Sequence, residues 1–465
     1  MKKIYIYVLI AFLVIGVGIG IYYYLDKDSN VLNIDKILDS NNFSVIDEDI
    51  DFSEYSDVTI ELNNESVSIT EGGVYILSGS ISDGSVIVNT EDNVKLILNN
   101  VNITNNSGPA IIIENAKNTI IELVKDSVNT LSDGSKYSNS EYDGCIYSKD
   151  DLVIQGEGKL VINANYHDGI VSNDDLKIVN GIYVINAIDD GIRGKDSVYI
   201  VDGTFNINVQ GDGIKSTNDT DSDKGNIRID NGTFNINSNF DGIQVEGKLV
   251  INNGTFEIVT KDKSDSSKGI KANSNIVVYN GTFNIDSYDD GIHTNEDIVI
   301  ENGNYVINSQ DDGIHADGKI EINNGTFNIE AGEGIEATYV KINDGTINIS
   351  ASDDGINAGN KSNNYDVTIE INGGNVTIKM GQGDTDGIDS NGNLYINGGT
   401  INITGQSPFD YDGEVKYNGG TIIVNGEEVN SITNQMMGGG MMDDRNGMPN
   451  ENMPQNNRHG GMMRR

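Results

Sequence analysis

An aspartate stands immediately before a glycine at Asp143, Asp168, Asp190, Asp212, Asp241, Asp290, Asp312, Asp354 and Asp386, and several copies double it, at Asp189, Asp289, Asp311 and Asp353. In most copies an isoleucine follows the glycine. Carboxylates recurring at one spacing form a row of negative charge, and like charges in register repel. A hard cation relieves that repulsion, since calcium accepts about six to eight oxygens from carboxylates, carbonyls and water. The pattern therefore predicts calcium ligands among Asp168, Asp189, Asp190, Asp212, Asp241, Asp289, Asp290, Asp311, Asp312, Asp353 and Asp354. The other reading of each pair is an Asp-Gly turn, with aspartate capping the backbone and glycine supplying positive φ.

The residue after each isoleucine forms a second column: Arg193, Lys215, Gln244, Lys271, His293, His315, Glu336 and Asn357. If the isoleucine faces inward, this neighbour faces out. Cations beside carboxylates and calcium suit an acidic sugar polymer, so Arg193, Lys215, Lys271, His293 and His315 are the candidate substrate-binding residues. Ion pairing with the neighbouring aspartates is the alternative, worth little where exposed.

These columns need elements that repeat with them. The commonest step is 22 residues, as from Gly169 to Gly191 or Gly291 to Gly313, and a second glycine column (Gly203, Gly232, Gly254, Gly281, Gly325) runs in phase. Within each copy, apolar and polar residues alternate over three short runs: Phe205 and Ile207 share one face, Thr204, Asn206 and Asn208 the other. Period two means strand. Strands this short cannot stand alone, but stacking equivalent strands of successive copies closes their hydrogen bonds and buries the Ile, Val and Phe columns. The fold expected is all-β, a right-handed parallel β-helix of three-strand coils. No helical segment fits within 22 residues, which excludes a leucine-rich solenoid.

The ends differ. Lys2 and Lys3 precede an apolar run from Ile4 to Leu25, long enough to span a bilayer, so residues 1–25 are expected to anchor the chain with its bulk outside the cell membrane. A cleaved signal peptide and secretion are the rival expectation, against which Tyr22, Tyr23 and Tyr24 stand where small residues should be. Residues 26–56 read as an acidic linker or cap, 57–433 as the β-helix, and 434–465, with eight of the ten methionines, as a low-complexity, disordered tail.

Composition bounds the partners. Acidic residues outnumber basic ones 71 to 30, for a net charge of −41, which excludes nucleic acid. Cys145 is the single cysteine, so neither a disulfide framework nor a cysteine zinc cage is available. The runs Gly73-Val74-Tyr75-Ile76-Leu77-Ser78-Gly79, Lys149-Asp150-Asp151-Leu152-Val153-Ile154 and Asp168-Gly169-Ile170, followed by Asp174-Asp175-Leu176-Lys177-Ile178, resemble those of the carbohydrate-binding β-helix proteins of clostridia and related bacteria. The resemblance covers about residues 57–430. It implies calcium at the Asp-Gly-Ile positions, polysaccharide partners such as cellulose and polygalacturonate (pectin), and binding rather than catalysis on a scaffold similar to pectate lyases. The galacturonan hydrolases of this fold need a Gly-His-Gly element, which the repeat lacks. A calcium-dependent lyase with Lys215, Lys271 or Arg193 as base, or a structural surface adhesin, are the alternatives.

Overall fold

The computed structural model describes residues 50–263, 267–381 and 385–434. The expected membrane segment, most of the acidic linker and nearly all of the methionine-rich tail lie outside the described residues. Among the described residues no helix is long and apolar enough to cross a membrane.

The described chain is all-β, with 43 strands in one sheet. Each strand pairs in parallel with its counterpart one coil further along: Thr204–Val209 with Thr233–Ser238, Ile214–Ser216 with Ile243–Val245, and Asn226–Ile229 with Leu249–Ile251. Three strands therefore complete each coil of a parallel β-helix. Its end is turned back by an antiparallel pair, Thr421–Val424 with Glu427–Val429. In places a corner is straightened and two strands merge, as in Ile314–Ile322 and Ile335–Ile342. At the other end, Ile50 and Phe52 pack on the outside of the coils against Ile120 and Val153.

The alternation places one side of every strand in a continuous core. Ile192, Ile214, Ile243, Ile270, Ile292 and Ile314 form one buried column. On the third face, Tyr183, Phe205, Phe234, Phe256, Phe283, Tyr305 and Phe327 stack with ring centroids 4.5 to 4.8 Å apart. The coil rise sets that spacing, because each ring is fixed to a strand hydrogen-bonded to the next. Removing Phe256 takes away two ring contacts, each worth about 0.5–1.5 kcal/mol beyond the area buried. Phe256→Leu, which keeps apolar bulk, is expected to lose about 1–3 kcal/mol in chemical denaturation. An unchanged midpoint would mean that the stack follows from packing without strengthening it.

The glycines of the Asp-Gly-Ile elements are explained by close approach rather than by the positive φ of a turn. A β-carbon on Gly291 would lie 2.5 Å from the carbonyl oxygen of Gly313 in the next coil. The expectation of positive φ holds for the second column instead, as at Gly254, where φ is 143°.

Candidate functional site

The outward residues of the first strand in each coil line up in register along the rod. Tyr147, Val171, Arg193, Lys215, Gln244, Lys271, His293, His315, Glu336, Asn357, Asp389 and Asp410 are successive partners. Most of these strands are three to five residues long, and the aspartate-bearing corners flank the row along the rod. Its character changes along the axis. Tyr147 and Val171 are apolar and pack with Ile112 and Tyr142. Cations follow, then two imidazoles, then carboxylates and amides.

The aspartates before the glycines line one wall, and their two oxygens do different work. One caps the next coil: Asp190 N–H donates to Asp168 Oδ1 at 3.0 Å, Asp212 N–H to Asp190 Oδ1 at 2.8 Å, Asp241 N–H to Asp212 Oδ1 at 2.8 Å, and Asp312 N–H to Asp290 Oδ1 at 3.1 Å. The other faces the row and its cations. Arg193 bridges Asp143 and Asp168, its Nε 2.7 Å from Asp168 Oδ2. Lys215 bridges Asp190 and Asp212 at 3.2 and 2.7 Å, and Lys271 lies 3.9 Å from Asp241. His293 and His315 take Asp290 and Asp312 at 2.7 and 2.9 Å. The row is thus a buried ladder in which aspartates cap the backbone, as in the Asp-Gly reading, but of the next coil, while also pairing with the neighbouring cations. Arg193 is 13% exposed and His315 14%, against 27% for Lys215 and 29% for Lys271. The two lysines are the cations an external polymer reaches most readily.

Burial leaves most of these carboxylates reluctant to ionise. Asp241 is pushed up to about 7 by burial and then by Asp212. Glu333 reaches about 8 and Asp354 about 6, again through burial first and neighbouring carboxylates second. Burial, with Asp290 and Glu336 nearby, holds Asp312 far above the usual range. Asp290 goes the other way. Burial would raise it, but the hydrogen bond to His293 and the Lys268 ammonium outweigh that and hold it at about 2.

The doubled aspartates divide. Asp289, Asp290 and Asp311 converge closely enough to share an ion, but the ammonium of Lys268 already sits on Asp289 and Asp290. Asp189 joins His167 and Asp168 in a second group. Asp353 belongs to no such group among the described residues. Spacing alone did not single out Lys268, although the break in the Asp column at Lys268-Gly269 was its signal.

A further all-oxygen group lies at the opposite corner of the strand, formed by Asp151, Asp174 and Asp175. Burial, then a shared hydrogen bond with Asp196 and the charge of Asp151, raise Asp174 to about 7. Burial, followed by Asp151 and Asp196, raises Asp175 to about 6. The ammonium of Lys224 is directed at Asp196. The doublets Asp150-Asp151 and Asp174-Asp175, 24 residues apart, were the sequence signal for this group.

Five of the eight buried side-chain atoms without a hydrogen-bond partner among the described residues belong to this row or its flanking aspartates: Asp143 Oδ1, Gln244 Oε1, His315 Nε2, Asn357 Oδ1 and Asp410 Oδ1. Buried polar atoms are ordinarily paired.

The fold and this row define a parallel β-helix protein with a linear, charged face. A family model described as "Carbohydrate-binding domain-containing protein" matches residues 63–313 and again 305–442, and the chain belongs to that family. A protein of Acetivibrio thermocellus described in the same words is 36% identical over 135 residues, 28% of this chain and 47% of that protein. The chain therefore spans about half the length of this relative. A solved structure of a polysaccharide lyase-like protein from C. thermocellum, a gadolinium derivative, is 25% identical, with 57% of this chain and 96% of that one covered at a TM-score of 0.38.

Proposed function

We propose that this is a calcium-dependent polysaccharide-binding protein of the cell surface, anchored through residues 1–25. An acidic plant cell-wall chain such as polygalacturonate would lie along the row, contacting Lys215 and Lys271. The observation that carries this reading is a row of charged and polar side chains, Lys215 and Lys271 exposed among them, that repeats at the coil spacing. A polymer with its own regular repeat can pair with several of them at once, which a small ligand cannot do.

Calcium fits best at Asp151, Asp174 and Asp175. The donors there are all oxygen, as calcium requires, and burial first, then neighbouring carboxylates, raise Asp174 and Asp175, both of which a bound cation would offset. Binding is favoured over cleavage by the state of the cations. A lyase base must lose its proton, yet Asp168 and Asp143 hold Arg193 protonated, and Asp212 and Asp190 do the same for Lys215, each against the opposing effect of burial. Arg193-Gly194-Lys195 supplies an Arg-x-Lys run, part of the galacturonan-hydrolase signature, without its Gly-His-Gly partner. A second surface suits an uncharged chain such as cellulose. The third face carries outward Thr and Asn rows and a hollow of about 360 Å³ bordered by Val306, Asn328, Glu330, Asn348 and Lys379.

Affinity electrophoresis through polygalacturonate and pull-down on insoluble cellulose, with calcium or with chelator, test this reading. Retardation by polygalacturonate is expected in calcium and is expected to weaken in chelator. The double change Asp174→Asn with Asp175→Asn should remove the calcium dependence. No new ultraviolet absorbance from unsaturated uronides should appear. Growth of that absorbance would establish a lyase, whereas no retention on either polysaccharide would favour an adhesin.

A further inference from the structure

The second strands of successive coils carry an outward row of their own, which runs from Ile120 and Val153 through Lys177 to Val250, Val277 and Val299. The strand neighbours of these valines, such as Ile276 and Val278, belong to the core, so the valines face out. An outward valine with nothing on it is open to water: Val306, on the third strands, is 50% exposed. Val250, Val277 and Val299 are 3%, 0% and 1% exposed. Lys177, of a residue type almost always in solvent, is 5% exposed. Among the described residues the three valines belong to no apolar cluster. This face is covered.

The path of the chain indicates by what. Ile50 and Phe52 rest on Ile120 and Val153, with Val179 beside them. The Lys95 ammonium, one coil nearer the start of the rod than Ile120, lies 5.7 Å from the Phe52 ring, and the chain goes on from there to the first strand, Asp57–Asn63. Residues before Ile50 therefore leave in the opposite sense, towards Lys177 and the valines. Val299 lies six coils beyond Val153, about 29 Å at ~4.8 Å per coil. Residues 31–49 reach that far with length to spare, at about 3.3 Å per extended residue and about 1.5 Å per helical one. Their chemistry matches the row. Val31, Ile34, Ile37 and Leu38 recur at helical spacing, Phe43 follows, and Asp47-Glu48-Asp49 directly precedes Ile50, one coil from Lys177.

We propose that residues 31–49 lie as a strap along the second-strand face, with Ile34, Ile37, Leu38 and Phe43 over Val250, Val277 and Val299 and the acids of 47–49 beside Lys177. The acidic run that reads as a linker is then part of the folded domain and ties its first coils to the middle of the rod. The strap closes a face other than the one carrying Lys215 and Lys271, and it needs neither calcium nor a glycan.

The test uses two readouts on the full-length chain in detergent micelles. In the first, Val277→Cys is introduced and its labelling by a maleimide is timed; Cys145 is buried, and the parent chain serves as the blank. Labelling should be slow, and the triple change Ile34→Ser, Leu38→Ser and Phe43→Ser should speed it about tenfold or more. In the second, trypsin cleavage after Lys36 is followed in the parent and in the triple variant, with a similar acceleration expected. This readout stands if Val277→Cys fails to fold. Rapid labelling of folded Val277→Cys, rapid cleavage of the parent, or rates that the triple change leaves alone would overturn the proposal. So would labelling that speeds up on removal of residues 435–465 but not with the triple change, which assigns the cover to the tail. Labelling that slows as protein concentration rises assigns it to a second copy and equally overturns the strap.

Discussion

In excess chelator the melting temperature is expected to rise by several degrees as the pH falls from about 8 to about 6, and calcium is expected to suppress that rise. The driving groups are carboxylates whose folded pKa lies above the unfolded value: Asp241 and Asp389 at about 7, Glu333 at about 8 and Asp354 at about 6, all raised first by burial. Between the unfolded value near 4 and these folded values, the folded chain binds more protons than the unfolded one. Lowering the pH through that window therefore stabilises the fold, and raising it withdraws that stability. A single group such as Asp241 contributes about 1.4 kcal/mol of this between pH 8 and 6, out of about 4 kcal/mol over the whole range down to its unfolded value. Asp290, held at about 2, opposes it only well below the window. Calcium binds the ionised carboxylates of the folded state alone, contributing about 2.7 kcal/mol at a hundred times its dissociation constant. Its contribution is largest at pH 8 and shrinks as protons compete. A melting temperature in chelator that falls across this window would show the carboxylates to be satisfied rather than crowded. Indifference to calcium at pH 8 would remove the calcium site.

The second large effect is expected at Arg193. Its guanidinium joins Asp143 and Asp168, and the Asp168 side chain is only 5% exposed. Breaking a buried pair by deleting one partner costs about 3–5 kcal/mol, because the other charge is left stranded. Arg193→Ala is therefore expected to lose about that much in urea denaturation at pH 8. At about pH 5.5 the loss should shrink. Burial already holds Asp168 above the ordinary carboxylate range against the pull of Arg193, and without the guanidinium it takes a proton instead. Arg193→Lys should recover only part of the loss, since an ammonium cannot reproduce the planar two-sided fork. An equal loss at both pH values would assign the effect to the packing of the arginine stem rather than to its charge.

The coil was legible in the sequence because it depends on periodicity alone. Alternation in Thr204-Phe205-Asn206-Ile207-Asn208 settles which side of a strand is buried, and the 22-residue step settles which residues stack, so the Ile and Phe columns and the row from Arg193 to Asn357 could be read directly. Atomic partners could not. Whether Asp190 bares its charge or caps Asp212 depends on the rise between coils and the lean of the corner. Gly291 looks like a turn glycine in the sequence, and only the approach of Gly313 shows why a β-carbon is excluded. The insertion after Thr260 hides the return of Lys268 to Asp289 and Asp290, and no one-dimensional pattern aims His315 Nε2 at Glu336. The sequence by itself determined the strands, their stacking order and the face that carries the charge, since these follow from the two-residue and 22-residue periods. The tertiary structure decided which charges are neutralised, which are buried and which donors converge, because those depend on ångström-scale contacts between residues 20 to 30 positions apart.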